Sequence, residues 1–218
     1  MLICRTALLV LFTLFVSSSG FAAGSFVIEP DDYAHGTILN DIHPRVQLRI
    51  YTGDDFPSSF GVFPNPDIIP VSALTNEDIL GGHFTSTGTK SFGHYLIGFN
   101  SQSRQIGMKF LGAANSVSID VIGRTDFTGA VGVLEVFSQA GVLLESVTSA
   151  PLGRHDIATL SINRPTADIG YARAFASSMG SPFGTFDNLQ FSSVPEPASV
   201  SLMAIGLLAF MYRRSART

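Results

Sequence analysis

The chain has 218 residues, of which 45% are apolar and only 14% are charged. This length and apolar content are enough for one sizeable core and predict a single globular body. Residues 24–193 hold nine Lys or Arg and sixteen Asp or Glu, a formal charge of −7. So acidic a body argues against nucleic acid as a partner.

The first 22 residues have the order of a secretory signal peptide. Arg5 precedes an apolar run over residues 7–16, and small residues follow up to Ala22, after which we predict cleavage. The apolar run predicts a signal helix that is too short to span a membrane comfortably. Cys4 is the only cysteine and lies in this segment, so disulfides are excluded from the exported body.

Residues 23–193 contain many short segments typical of strands and no convincing helical pattern. Alternating apolar and polar residues predict strands at 46–50, 106–110 and 117–121, each with one buried face. Further strands are predicted at 95–99, 131–137, 142–148, 157–162, 169–175 and 186–191. Residues 134–145 are predicted to form a hairpin that turns at 138–141. The predicted fold class is all-β, an antiparallel β-sandwich of jelly-roll type.

Two segments rich in turn residues interrupt this pattern, at 52–73 and 77–93. The first is long for a loop in a compact domain, so it is either a functional loop or a poorly ordered insertion. Its phenylalanines Phe56, Phe60 and Phe63 either stack on a ligand or cover the edge of the core. Both segments are predicted to be irregular connections.

The body contains no arrangement that predicts catalysis. The five histidines lack the spacing of a zinc site, and no nucleophile elbow or phosphate-binding glycine loop is present. Asp120 and Glu135 could serve as paired carboxylates, but the alternation places both on outward faces of strands, where solvated residues are the ordinary expectation. We therefore predict no catalytic residue and no enzymatic activity.

The C-terminal segment, residues 194–218, combines three elements. Pro195, Glu196 and Pro197 form a stiff, extended segment. Residues 198–212 are uncharged and predict a transmembrane helix that is short for a permanent anchor. The basic end, 213–218, begins with Arg213 and Arg214 and stays cytoplasmic by the positive-inside rule. Since the signal peptide begins on the same side, the body is predicted to be translocated.

This order of motif, short apolar helix and terminal arginines resembles the PEP-CTERM sorting signal of exosortase substrates. The resemblance implies an exopolysaccharide-producing bacterium, a precursor held transiently in the inner membrane, and processing by an exosortase near Pro195, Glu196 and Pro197. The processed protein would then reach the cell surface or the extracellular matrix of a biofilm. An ordinary C-terminal anchor would give the same topology without the motif, whereas here the apolar tail is an address that is cut away.

The body is similar to the lectin-like and carbohydrate-module jelly rolls found among PEP-CTERM proteins, a resemblance carried by the last predicted strand, 187–191. Asp187 has the same parity there as Leu189 and Phe191, so its carboxylate lies on the apolar face and needs hydrogen bonds, a cation or a metal. Backbone amides at a strand end are one solution. The resemblance implies another, a structural Ca²⁺ shared with Glu29, Asp31 or Asp32 of the first segment.

Three functions remain open at this stage. The first is a non-enzymatic structural or interaction role in exopolysaccharide or biofilm. The second is a carbohydrate-binding or adhesion module, which the absence of tryptophan disfavours. The third is an enzyme that acts on polysaccharide.

Overall fold

The computed structural model describes residues 24–51, 56–58, 60, 67–72, 84–94, 97–98, 105–123, 131–177 and 184–194. Its strands, all in antiparallel pairs, are β1 (Gly24–Ile28), β2 (Val46–Tyr51), β3 (Ile69–Ser72), β4 (Lys90–His94), β5 (Ile97–Gly98), β6 (Gln105–Gly123), β7 (Val131–Phe137), β8 (Leu143–Thr148), β9 (Ile157–Asn163), β10 (Ile169–Ser177) and β11 (Gly184–Val194). Apart from one 3-10 turn, Pro30–Asp32, these described ranges contain no helix. The predicted all-β, antiparallel fold class is therefore confirmed.

The long strand β6 belongs to two layers. Its first half, around Met108, pairs with β2 and β10, and β10 continues the layer through β7 to the edge strand β8. Its second half, around Ile119, pairs with β9 and β11. Gly112 has a φ of 113° between the two halves, a backbone conformation that suits glycine. A strand that bends from one sheet into the other is a known corner of a sandwich.

Strand β11 is central in the second layer. One side pairs along β6, and the other pairs first with β4 and then with β1. Strand β3 adds to β4 at the edge. The last strand of the body is thus hydrogen-bonded on both sides, with β1 beside its final residues.

A single core joins the two layers. Ile106, Met108 and Phe110 from the first half of β6, and Val117 and Ile119 from the second, are buried in one cluster. In the sequence each set alternates with Gly, Lys or Ser, but the structure also buries Gln105, Gly107 and Asp120 beside them, so both faces of β6 are covered there. The shared core supports the predicted sandwich, whose jelly-roll connectivity stays a prediction.

The hairpin predicted at 134–145 is confirmed by the pairing of β7 with β8. Its turn is closed where Gly141 N donates to the Ser138 carbonyl oxygen, 3.0 Å away. The prediction that 52–73 and 77–93 are irregular throughout is wrong, because β3 and β4 lie within them and pair with each other. These strands lack alternation, and Pro70 in β3 removes a backbone donor, as is tolerated at a sheet edge.

The signal peptide, 1–22, and the segment 195–218, with its predicted transmembrane helix, lie outside the described residues. The part of the chain that the structure describes contains no helix that is long and apolar enough to cross a membrane. Residues Gly24–Val194 form one compact unit.

Candidate functional site

Three carboxylates meet where the first and last strands of the body are joined. Glu29 follows β1 directly, Asp187 lies in β11, and Asp120 is the residue of β6 paired with Asp187. A register shift follows Asp187, where Asn188 has a φ of 48°. This bulge changes the parity of the strand, because Asp187 pairs with Asp120 on the outward face of β6 whereas Phe191 pairs with the core residue Val117. Asp187 is buried, but the prediction that it shares a face with Leu189 and Phe191 is wrong.

Asp187 is fully buried and accepts hydrogen bonds from backbone amides. Its Oδ2 receives the N–H groups of Ser86 and Thr87 at 2.8 and 3.1 Å, and its Oδ1 receives the N–H of Asn188 at 2.9 Å. Burial raises the pKa of Asp187, while these amides lower it by favouring the charged form. Backbone amides thus satisfy much of this carboxylate, as one of the two sequence interpretations expects.

Asp120 is 5% exposed, so the prediction of a solvated Asp120 is wrong. Its Oδ1 accepts from the Thr159 hydroxyl at 2.6 Å, and its Oδ2 accepts from the Ser86 hydroxyl at 2.7 Å and from Asn188 Nδ2 at 3.2 Å. The segment 84–89 covers the face of β6 that would otherwise meet solvent. The Ser86 hydroxyl is therefore within hydrogen-bond distance of both carboxylates, Asp120 and Asp187.

Asp31 holds the other end of the same covering segment. Its carboxylate accepts from the backbone N–H and the hydroxyl of Thr89, at 2.9 and 3.1 Å. Gly88 has a φ of 47°, and a Cβ there would come within 2.0 Å of Asp31 Oδ2. Only glycine combines that conformation with so close an approach.

Glu29, unlike Asp120 and Asp187, does not have described hydrogen-bond donors on both of its carboxylate oxygens. Its carboxyl is hydrogen-bonded with Asp187 and with the Thr87 hydroxyl, whereas Oε1 is buried and has no hydrogen-bond partner among the described residues. Burial and the neighbouring charge of Asp187 raise the pKa of Glu29 from 4.5 to about 7. The ammonium group of Lys90 donates instead to the carbonyl oxygens of Asp31 and Tyr33, at 3.1 and 2.7 Å. A proton on Glu29 would relieve the repulsion between these two neighbouring carboxylates.

The structure brings together two of the four predicted metal ligands, Glu29 and Asp187. Asp31 is near them in the chain but is engaged with Thr89 and Lys90. Asp32 is exposed in the 3-10 turn, and no described hydrogen bond links its side chain to the carboxylates. No group of three His, Cys, Asp or Glu side chains within the described ranges is arranged to hold a metal.

The buried, unpartnered oxygen of Glu29 nevertheless fits a cation. Ca²⁺ prefers carboxylate, carbonyl and hydroxyl oxygens, and Glu29, Asp187 and Thr87 offer such groups. Sequence reasoning missed Asp120, Ser86 and Thr87. The turn residues around Gly88 indicate an irregular segment, but nothing in the sequence indicates that this segment covers β6.

A second feature lies in the first layer, where aromatic rings surround an ion pair. Arg173 of β10 binds Glu135 of β7 through its Nε, and both side chains are largely buried. The guanidinium carbon lies 5.7 Å from the ring centroid of Phe56, 5.5 Å from that of Phe137 and 5.4 Å from that of Phe175. Phe56 is 7% exposed and packs on Phe137 with ring centroids 5.1 Å apart. The phenylalanines of this loop were expected either to stack on a ligand or to cover the edge of the core. Phe56 covers the edge of the core.

Beside this aromatic cluster is a groove with a volume of about 360 Å³. Residues 56–58 form one wall, the hairpin turn 139–141 forms the other, and Tyr171 contributes its ring. None of these side chains is charged. An aromatic ring next to amide and hydroxyl groups is the usual composition of a site for a small polar ligand.

Comparison with known proteins identifies the C-terminal segment. Residues 193–215 match the family model described as the PEP-CTERM protein-sorting motif. The chain carries this sorting motif. The match includes all five predicted sorting residues, Pro195, Glu196, Pro197, Arg213 and Arg214, which lie outside the described ranges. Its first two residues, Ser193 and Val194, belong to β11.

No curated protein matches the chain. Among solved structures, the fold is similar to the K2 cleaved adhesin domain of Lys-gingipain, with 12% sequence identity and a TM-score of 0.46. That likeness covers 77% of this chain and 99% of the adhesin domain.

Proposed function

We propose that this exported, exosortase-processed protein has a non-enzymatic structural or interaction role at the cell surface or in the extracellular matrix of exopolysaccharide or biofilm. The PEP-CTERM motif at 193–215 carries the proposal, because this motif implies recognition by an exosortase and a transient membrane-bound precursor. The folded body meets the motif without a linker, since β11 ends at Val194. What is sorted is therefore the sandwich as a whole.

Deleting residues 195–218 tests the sorting, and this boundary leaves β11 intact. We expect the truncated protein to be exported but lost from the fraction in which the full chain accumulates. The matched control replaces Pro195, Glu196 and Pro197 by alanine and keeps the apolar segment and arginines. This variant should remain in the inner membrane as an unprocessed precursor. Wild-type sorting of either variant would contradict the proposal.

The carboxylates support a role without catalysis. Glu135 is held by Arg173, and both oxygens of Asp120 and of Asp187 accept hydrogen bonds from the protein. Groups committed in this way are poorly placed to attack a substrate or to exchange protons with it. Turnover of matrix polysaccharide that is lost in Glu135→Gln or Asp120→Asn would contradict a non-enzymatic role.

The groove beside Tyr171 favours a second candidate function, carbohydrate binding. Its uncharged lining of aromatic, amide and hydroxyl groups suits a neutral sugar better than an ionic ligand. A glycan array with and without EDTA tests this function. We expect Gln139→Ala to lose binding and Ser146→Ala, an exposed residue of β8 on the same hairpin, to retain it. Equal binding by both variants, or none by the wild type, would count against this groove.

We also propose that Glu29 and Asp187 hold a structural Ca²⁺. When bound, the cation would neutralise two like charges that the described side chains leave uncompensated. Calcium should raise the Tm of the exported body relative to EDTA, and Glu29→Gln with Asp187→Asn should abolish the rise. Asp32→Asn is the control, because this exposed side chain lies outside the carboxylate cluster. An unchanged Tm in the wild type, or an effect lost equally in the control, would refute the site.

A further inference from the structure

The sorting motif begins inside a fully paired strand. On one side of β11, Ser193 and Val194 pair with Ala114 and Ala113 of β6. On the other side, Ser193 pairs with Gly24 of β1. The chain is therefore held on both edges up to Ser193, and Val194 is still paired with β6.

Such pairing restricts access by an enzyme. Proteins that grip an extended peptide commonly do so through its backbone, as an added strand. A strand with neighbours on both sides has no free row of N–H and C=O groups to offer. In the closed body, the residues leading into the motif are withheld from this kind of grip.

Of the two neighbours, β1 is the one that can leave. Strand β6 runs through both layers and supplies much of the core. Strand β1 has five residues, pairs only with β11 among the described strands, and exposes 54% of Val27; of its side chains, Ile28 is buried in the core and Phe26 packs against it. Short terminal strands with few buried side chains open at low free energy.

We propose that β1 is a latch over β11, the strand that leads into the sorting motif. The exosortase acts while β1 is away from β11, gripping the free edge that leads to Pro195, and docking of β1 then closes the body. This inference rests on the proposed exosortase processing. It adds that folding of the first strand controls the access of the enzyme to the last one.

A disulfide that locks the latch tests this proposal. Val27 and Gln190 are paired residues of β1 and β11, and both are exposed. Paired Cα atoms in an antiparallel ladder lie about 4.5 to 5.5 Å apart, within the range of a disulfide. The body has no cysteine of its own, so the Val27→Cys/Gln190→Cys precursor can form only the intended bond within the body.

The precursor should be followed in the producing cell with its own exosortase. We expect the oxidised double variant to be processed more slowly by about tenfold or more, because the latch can no longer open locally, and reductant should restore the rate. The matched control, Ser118→Cys/Ser161→Cys, locks the paired strands β6 and β9 and should be processed normally. Equal rates for the locked latch and this control would overturn the latch.

A linker variant distinguishes occlusion of the residues before Pro195 from misfolding of the oxidised protein. Inserting a flexible linker of about ten Gly and Ser residues between Val194 and Pro195 should restore processing of the oxidised latch variant, because the enzyme can then grip unpaired residues that lead into Pro195. Continued failure with the linker would overturn the proposal. If neither the wild type nor the control pair is processed, the proposed function itself fails, and this outcome is distinct from failure of the latch.

Discussion

Two largely buried glutamates in this body have partners of opposite charge: one faces an arginine and the other an aspartate. Glu135 lies in the first layer against Arg173, whose guanidinium group also lies over three aromatic rings. Glu29 lies at the β1–β11 junction against Asp187, and Lys90 is engaged with carbonyl oxygens. The first carboxylate is compensated by the chain itself. The second has no basic side chain as its described partner, so of the two glutamates Glu29 is the one whose protonation should follow the pH.

The largest expected change in the free energy of unfolding comes from breaking the ion pair between Arg173 and Glu135. Arg173→Met should destabilise the body by about 3 kcal/mol, because it leaves Glu135 as an unpaired, largely buried charge. Urea unfolding monitored by circular dichroism measures the loss. A variant that also carries Glu135→Met should recover most of it, since two apolar residues can replace a buried ion pair. Arg164→Met, which breaks a more solvent-accessible ion pair with Asp168, should have the smallest effect of these changes.

A smaller loss is expected at the segment that covers the carboxylate cluster. Gly88→Ala places a methyl group against Asp31 in a left-handed conformation and should cost about 2 kcal/mol. Gly36→Ala is a matched control, because Gly36 has a φ of 81° but no atom within 4 Å of the added Cβ. Equal losses for the two variants, again in urea, would show that backbone conformation alone, and not the contact with Asp31, requires glycine at 88.

The smallest effect is the pH dependence that distinguishes the two glutamates. The pKa of Glu29 is raised to about 7 in the folded body, so the folded state binds a proton that the unfolded state releases near its ordinary pKa of 4.5. In EDTA, stability should therefore fall as the pH rises from about 4.5 to above 7. Thermal melts across this range should show a flatter profile for Glu29→Gln. A profile identical to that of the wild type would contradict the raised pKa of Glu29 beside Asp187.

Sequence patterns predicted the fold where one face of a strand is buried. The alternations at 106–110 and 117–121 identify the two halves of β6, but not their continuity, because residues 111–116 break the alternation where the strand bends. Strands β3 and β4 escaped prediction because short strands without alternation resemble turns. The prediction therefore succeeds for most strands, including the edge strand β8, and fails for short ones such as these two.

The candidate site was predictable only in part, for a similar reason. Asp187 was singled out by the parity of its own strand, but the bulge at Asn188 places it on the face opposite to Leu189 and Phe191. Glu29 and Asp31 came from a resemblance. Asp120 was assigned to solvent because alternation describes one strand and not what lies over it. A segment more than thirty residues earlier covers that face through Ser86. Asp31 and Asp32 differ in burial because the 3-10 turn directs successive side chains differently.

The pairing of β11 on both sides also has a mechanical consequence. A load applied to the chain beyond Val194 would pull along the axis of β11. Its hydrogen bonds to β6 on one side, and to β1 and β4 on the other, lie across that direction and would share the load in shear. Such bonds fail together rather than one by one. A body attached by this end would be tethered through a strand that is hydrogen-bonded on both sides.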